Sequence, residues 1–205
     1  MSLERPWEDE FNALIDQLQA FYSGTLFDPD VPREERLANR PQMEFVWAYK
    51  SFEAIVGDHK IMIEISDSPL GEGGSVLTGD SLQFLLVSTS AVTGGSFGIR
   101  EEGGWDRFLK AARLAWEHQT GDAEFDRRFF IMGDHKDKPD MMNRPELRTI
   151  VIEAAPFEMI HFTRSRVCIS DMIVRNKTLN MDHAQRRIRE IAALADIFGA
   201  GDKTK

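Results

Sequence analysis

One cysteine, Cys168, stands in 205 residues. A lone thiol excludes an intrachain disulfide and a thiolate metal cluster, and it fits a reducing compartment, so a cytoplasmic location is expected. No run of about 18 apolar residues occurs, which predicts no membrane insertion. The stretch from Met1 to Glu10 is acidic and has no apolar segment, so no signal peptide is predicted. Basic residues are outnumbered, 25 Lys and Arg against 34 Asp and Glu, a net charge of -9. That balance argues against nucleic acid and anionic membrane surfaces as partners. Signatures that carry chemistry are missing too. There is no H-E-x-x-H, no G-x-S-x-G and no C-x-x-C. Gly74 to Ser81 has the glycines of a phosphate loop but places Asp80 where a lysine must reach the phosphates, and no helical pattern follows. No cofactor is expected.

What is present is an ordinary globular composition, 42% hydrophobic and 29% charged. Its length suits one domain over 1–205 that buries a core without staples. After Pro6, the residues Trp7, Phe11, Leu14, Ile15, Leu18 and Tyr22 keep helical spacing, which predicts a helix over 7–22. Residues 23–40, broken by Pro29 and Pro32, read as a connection. Met43 to Val56 and Ile61 to Ile65 flank Gly57-Asp58-His59 and predict a hairpin. Residues 66–81 read as a glycine-rich loop. The apolar run 82–89 predicts a buried central strand, and the glycines of 93–104 predict a loop or a short edge strand. Trp105 to Trp116 predicts a second helix ending near Gln119. Residues 127–132 read as a strand. Leu147 to Ala154, behind Pro145, predicts a helix. Residues 157–164 and 166–175 predict a second hairpin. Asn180 is expected to cap a terminal helix through Phe198, with 199–205 a tail. Hairpins separated by helices define an α+β fold, an antiparallel or mixed sheet with helices packed on it. Phe52 to Ile55 is echoed at Phe157 to Ile160, and Ile65-Ser66-Asp67 at Ile169-Ser170-Asp171. The echo raises a duplicated half-domain, with halves at 1–104 and 105–198.

Two constellations are candidates for chemistry. Gly57-Asp58-His59-Lys60 recurs as Gly133-Asp134-His135-Lys136, so Asp58, His59, Asp134 and His135 would hold a transition metal if the two turns met. The plainer reading is turn chemistry, because Gly-Asp occurs five times in the chain. The second constellation is basic. Residues 159–189 carry a net +5 against -14 for the remainder. Arg164, Arg166, Arg175, Arg186 and Arg187 are therefore the candidates for an acidic protein partner or a small anionic ligand, since guanidinium forks suit carboxylate and phosphate. His118, His161 and His183 each read as structural, His183 having Asp182 as its one acidic neighbour in sequence. Cys168, within an apolar strand, reads as a packed small hydrophobe.

The segment Thr120-Gly121-Asp122, two residues, Phe125-Asp126-Arg127-Arg128-Phe129, a strand, Gly133-Asp134 and Pro145-Glu146-Leu147-Arg148 resembles a loosely defined family of bacterial α+β domains of unknown function, over roughly Leu82 to Phe198. The resemblance implies a hairpin and a terminal helix after the motif, and implies no activity and no catalytic residues. Family members often occur as soluble parts of membrane-associated proteins.

These observations point to a binding or scaffold module without a catalytic site. A second reading is a hydrolase-like or metal-dependent enzyme using the Asp/His set. A third is a homo-oligomer assembled through Trp47, Trp105 or Trp116.

Overall fold

The computed structural model describes residues 7–27, 50–66, 81–87, 97–103, 119–133, 144–162, 166–173 and 177–200. The expected second helix, the glycine-rich loop, the tail beyond 200, and Trp47, Trp105, Trp116, His118, Asp134, His135, Arg164 and Arg175 lie outside the described residues.

Helix α1 (Glu8–Phe21) buries Phe11, Leu14, Ile15 and Leu18, the stripe its spacing predicts. The acidic triplet Glu8, Asp9 and Glu10 occupies its first turn, where carboxylates complement the helix dipole. The chain turns at Ser23 into β1 (Gly24–Phe27). Strands β2 (Ser51–Val56) and β3 (His59–Ser66) follow as a hairpin closed by Gly57 and Asp58. Gly57 has φ +58°, the left-handed conformation a two-residue hairpin turn demands. Then come β4 (Ser81–Val87), β5 (Phe97–Glu101), α2 (Ala123–Arg128), β6 (Phe129–Gly133), α3 (Pro145–Ala154), β7 (Met159–Phe162), β8 (Arg166–Met172) and α4 (Met181–Ala200).

All eight strands join one sheet in the order β1-β2-β3-β4-β8-β7-β5-β6, every neighbouring pair antiparallel. The fold is α+β, and of the two sheet types expected the antiparallel one is found. Alternation sorts the side chains. Phe52, Ala54, Ile61, Ile63, Ile65, Phe97, Ile99, Phe129, Ile131, Ile160, Phe162, Val167 and Ile169 point to the side that carries α1 and α4, and form one core with their apolar stripes. The opposite face also holds buried side chains, Met62, Met159, Cys168 and Ser170 among them. A sheet buried on both faces explains why its central strands read as continuous apolar runs.

Three expectations need correction. The segment at 97–101 is an interior strand, paired on one side with β6 and on the other with β7, and not a loop or edge strand. Its glycine leaves room for neighbouring side chains instead of breaking the strand. Residues 123–128 are helix, and the strand begins only at Phe129. The Asp122 carboxylate accepts hydrogen bonds from the amides of Glu124 and Phe125, a helix N-cap that overrides the local strand pattern. Asp126 accepts from the Thr120 amide and hydroxyl and from the Gly121 amide. The Thr-Gly-Asp motif that carries the family resemblance is thus a self-capped turn that seats Phe125 in the core. Finally, a cut at 104 does not separate the pairing, because β5 lies before it and pairs only with strands after it. The echoed hairpins also differ in register. Phe52 pairs with Ile63, whereas the echoed Phe157 precedes β7, which pairs Phe162 with Val167.

Gly24 faces Ala54 so closely that any side chain there would collide with the Glu53 carbonyl oxygen and the Phe52 ring. Gly24→Ala is expected to destabilise the protein by about 1–3 kcal/mol, the range for overpacking. Hydrogen exchange should show lost protection in β1 while β3 and β4 keep theirs. Asp122→Ala should cost about 0.5–2 kcal/mol through the lost cap, read by chemical denaturation.

Candidate functional site

The densest polar group lies where α4 crosses β8. Asn180 accepts from the His183 amide at 3.0 Å and starts the helix, as its sequence position predicts. The helix then lays Ala184, Ile188, Ile191 and Leu194 against the sheet, all fully buried. Arg187 falls on this same inward stripe and is also fully buried. On β8 the inward positions are Val167, Ile169 and Asp171, so an aspartate ends an apolar row, with 3% of its surface exposed.

Arg187 and Asp171 meet as a bidentate pair, Nε to Oδ2 at 2.7 Å and Nη2 to Oδ1 at 2.5 Å. The remaining donors reach the Ala154 and Pro156 carbonyls and, at 2.7 Å, Glu190 Oε2. A guanidinium has five N–H groups, and all five are used. Ala154 is the last residue of α3, so Arg187 also caps a helix end whose carbonyls have no partner within the helix. Four pieces of chain, α3, the 155–156 bend, β8 and α4, converge on one side chain.

His183 completes the group. Its Nε2 lies 2.8 Å from Asp171 Oδ2 and its Nδ1 3.3 Å from Arg186 Nη2. A carboxylate accepts and a guanidinium donates, so the proton sits on Nε2 and the Nδ1 lone pair faces Arg186. Burial pushes the Asp171 carboxyl up, but the hydrogen bonds from His183 and Arg187 and the positive charge of Arg187 outweigh it and hold the group below the usual carboxylate range. Burial likewise opposes the charge on Arg187, and Asp171 and Glu190 more than reverse that, raising its pKa further. The arrangement can orient an imidazole and hold a charge pair in a dry setting. It presents no free donor on Arg187 to an incoming anion.

Of the five arginines expected to form a binding surface, Arg187 is therefore enclosed. Arg186 is half exposed, with Nε 3.7 Å from Glu190 Oε1. Arg166 opens β8 opposite Val87. Of the four residues expected at a metal, Asp58 is exposed in the β2–β3 turn. His59 binds Asp196 of α4 across 2.9 Å and ties the hairpin to that helix. Gly133, where the second tetrapeptide begins, ends β6, five strands from β3 in the sheet. Five steps of about 4.8 Å put those strands roughly 24 Å apart. Among the described residues no group of three or more His, Cys, Asp or Glu is placed to hold a metal.

Sequence reading gave His183 no partner beyond Asp182; its partner is Asp171, 12 positions earlier. The signal was available, since an aspartate at the third inward position of an apolar strand must find a cation or a donor when buried. Cys168 is packed as expected. Burial pushes its thiol up to about 12, and its Sγ sits 3.7 Å from Ser170 Oγ.

No family model matches the sequence, and no curated protein matches it. Among solved structures, the fold is similar to that of the mycobacterial trehalose monomycolate transport factor A, TtfA. The TM-score is 0.52 at 8% identity, and the likeness covers 95% of this chain and 95% of that chain. At that identity the similarity is one of fold.

Removing either partner of the buried pair leaves an uncompensated charge, so Arg187→Met and Asp171→Asn are each expected to cost about 3–5 kcal/mol. The double variant should lose less than the two losses combined, measured by denaturant unfolding. Because the folded-state carboxyl is held low, the stability Asp171 contributes is present above the usual carboxylate pKa of about 4. It is lost as pH falls through the folded value, so the gap between the natural protein and Asp171→Asn should narrow only in acid. Cys168 should resist a thiol-exchange reagent in the native state and react stoichiometrically once unfolded.

Proposed function

We propose that this protein is a non-catalytic module that binds a protein partner, with an accessory or scaffold role. The observation that carries the reading is how the candidate chemistry is used. Arg187 spends every donor inside the fold, Asp171 and His183 are spent on it and on Arg186, and His59 fastens a hairpin to a helix. These groups hold elements together. The shared fold with a protein whose name describes a transport factor supports an accessory role.

Among the exposed apolar residues described, two lie near one corner of the sheet and suit a partner. Phe21, at the end of α1, is 65% exposed, and Ile55 is 47% exposed. The Ile55 amide donates to the Ser23 carbonyl, which puts Ile55 beside the corner where α1 passes into β1, on the face of the sheet away from α1 and Phe21. Strand β1 is an outer strand of the sheet among the described residues. Exposed large apolar groups beside an outer strand suit a partner that packs on the corner and extends the sheet.

A photo-crosslinking amino acid at position 21 or 55, introduced in the native cell, should yield one discrete adduct. The same group at the exposed Asp16 or Glu124 should not. Equal labelling at all four positions, or none at any, would remove the support for this surface. Turnover of ester or phosphate substrates that is lost in His59→Gln, with folding intact, would instead favour the enzyme reading built on the Asp/His set.

A further inference from the structure

Strand β1 closes one side of the sheet among the described residues, and its pairing turns half of its backbone groups outward. The register sets Ser23 opposite Ile55, and the Ile55 amide donates to the Ser23 carbonyl. That pair, Thr25 with Glu53 and Phe27 with Ser51 are therefore the positions that exchange hydrogen bonds. Gly24 and Leu26 alternate with them, so their N–H and C=O groups point away from β2. Among the described residues no backbone hydrogen bond from outside the sheet reaches either of them. An outer strand is ordinarily guarded by proline, charge or a covering element. Gly24–Phe27 contains no proline and no charged residue, and Gly24 and Thr25 are exposed. On the other side of the sheet Phe129, Phe130 and Ile131 of β6 are all buried, so β1 is the open side.

We propose that the protein partner presents an extended segment, apolar at its centre and flanked by Lys or Arg, which pairs with Gly24 and Leu26 as a further strand of the sheet. The proposal rests on the partner-binding reading above and names the element that is recognised. An outward row of donors and acceptors is matched by another extended backbone. Successive side chains of an added strand point to opposite faces. Each face offers it an exposed apolar group, Phe21 on the side of α1 and Ile55 on the other. The centre of the segment is therefore apolar on both faces. Charge decides against a second copy of this chain as the occupant. Antiparallel pairing of β1 with its own copy has a twofold axis perpendicular to the sheet, which sets both α1 helices on the same face beside the seam. Helix α1 packs on β1 and β2 and carries Glu8, Asp9, Glu10 and Asp16 with no Lys or Arg. The whole chain carries -9, and a field of that sign repels its like and draws in a basic segment.

The test follows amide exchange in the full chain by NMR as three peptides are added: a valine-rich peptide flanked by lysines, the same centre flanked by glutamates, and a lysine-flanked peptide of N-methylated valines. The first should slow exchange at Gly24 and Leu26 at least about tenfold, while Thr25, already bonded to β2, changes little. The N-methylated peptide keeps the charge and the side chains but has no central donors, and it should leave exchange unchanged. The glutamate peptide should bind at least about tenfold more weakly than the first. Phe21→Ser with Ile55→Ser, both at exposed positions, should weaken the lysine peptide at least about tenfold at unchanged melting temperature. Equal protection by the N-methylated or the glutamate peptide, or affinity that survives the double serine variant, would overturn the proposal. So would Gly24 and Leu26 amides already protected in step with dimer formation in the peptide-free protein, which would make the occupant a second copy. A discrete crosslinked adduct at position 21 or 55 that leaves those two amides unprotected would overturn strand addition and keep the partner-binding reading; absence of the adduct as well would remove both.

Discussion

The bidentate pair between Arg187 and Asp171 is the constraint on which the arrangement of helices depends. Neither charge reaches water, so each requires the other, and their geometry fixes where α4 crosses β8. The same guanidinium donates to the Ala154 carbonyl at the end of α3 and to the Pro156 carbonyl two residues on. The position of α3 is thereby tied to α4 through a polar contact at the core boundary rather than through apolar packing alone. Apolar burial supplies the driving force but tolerates sliding; a five-donor fork with five fixed acceptors does not. His59 and Asp196 repeat the idea at the other half of the helix in an exposed and weaker form.

Much of the architecture was legible because periodicity is local. Phe11, Leu14, Ile15 and Leu18 announce α1, Pro145 and Asn180 announce helix starts, and Gly57-Asp58 announces a hairpin. Strand 97–101 was misread because its glycine suggests a loop; its burial comes from partners that arrive later in sequence, at 129–133 and 159–162. The short helix at 123–128 was missed, and its last two residues were read into the strand at 127–132, because six residues are too few to show a helical period and the decision lies with Asp122. Of the site, the residue types were visible but not the pairing. Arg187 was read as a surface fork because charge is counted along the chain, while burial is decided by the helical phase shared with Ala184, Ile188 and Ile191.

The two faces of the sheet are built from different materials. The side carrying α1 and α4 is phenylalanine and isoleucine, shapes with defined rotamers that pack one way. Around β5, β7 and β8 the other side is methionine, cysteine, serine and glycine. Such residues adapt to what is placed against them. One face is thus suited to holding the fold in register, and the other is the more tolerant of volume-conserving substitution.

The seam between β4 and β8 has a consequence for the chain as it is made. Ser81 pairs with Met172 and Val87 with Arg166, so the middle of the sheet joins residues roughly eighty to ninety positions apart. The first four strands form a meander of near neighbours, yet their inner edge stays unpaired until β8 has emerged from the ribosome. Closing so long a loop carries an entropic cost that local hairpins do not meet, and non-local pairing of this kind is slow. During that interval β4 presents an apolar edge to its surroundings. Synthesis therefore passes through a half-sheet whose completion waits on the last strand, with the terminal helix and its buried arginine arriving just behind to lock it.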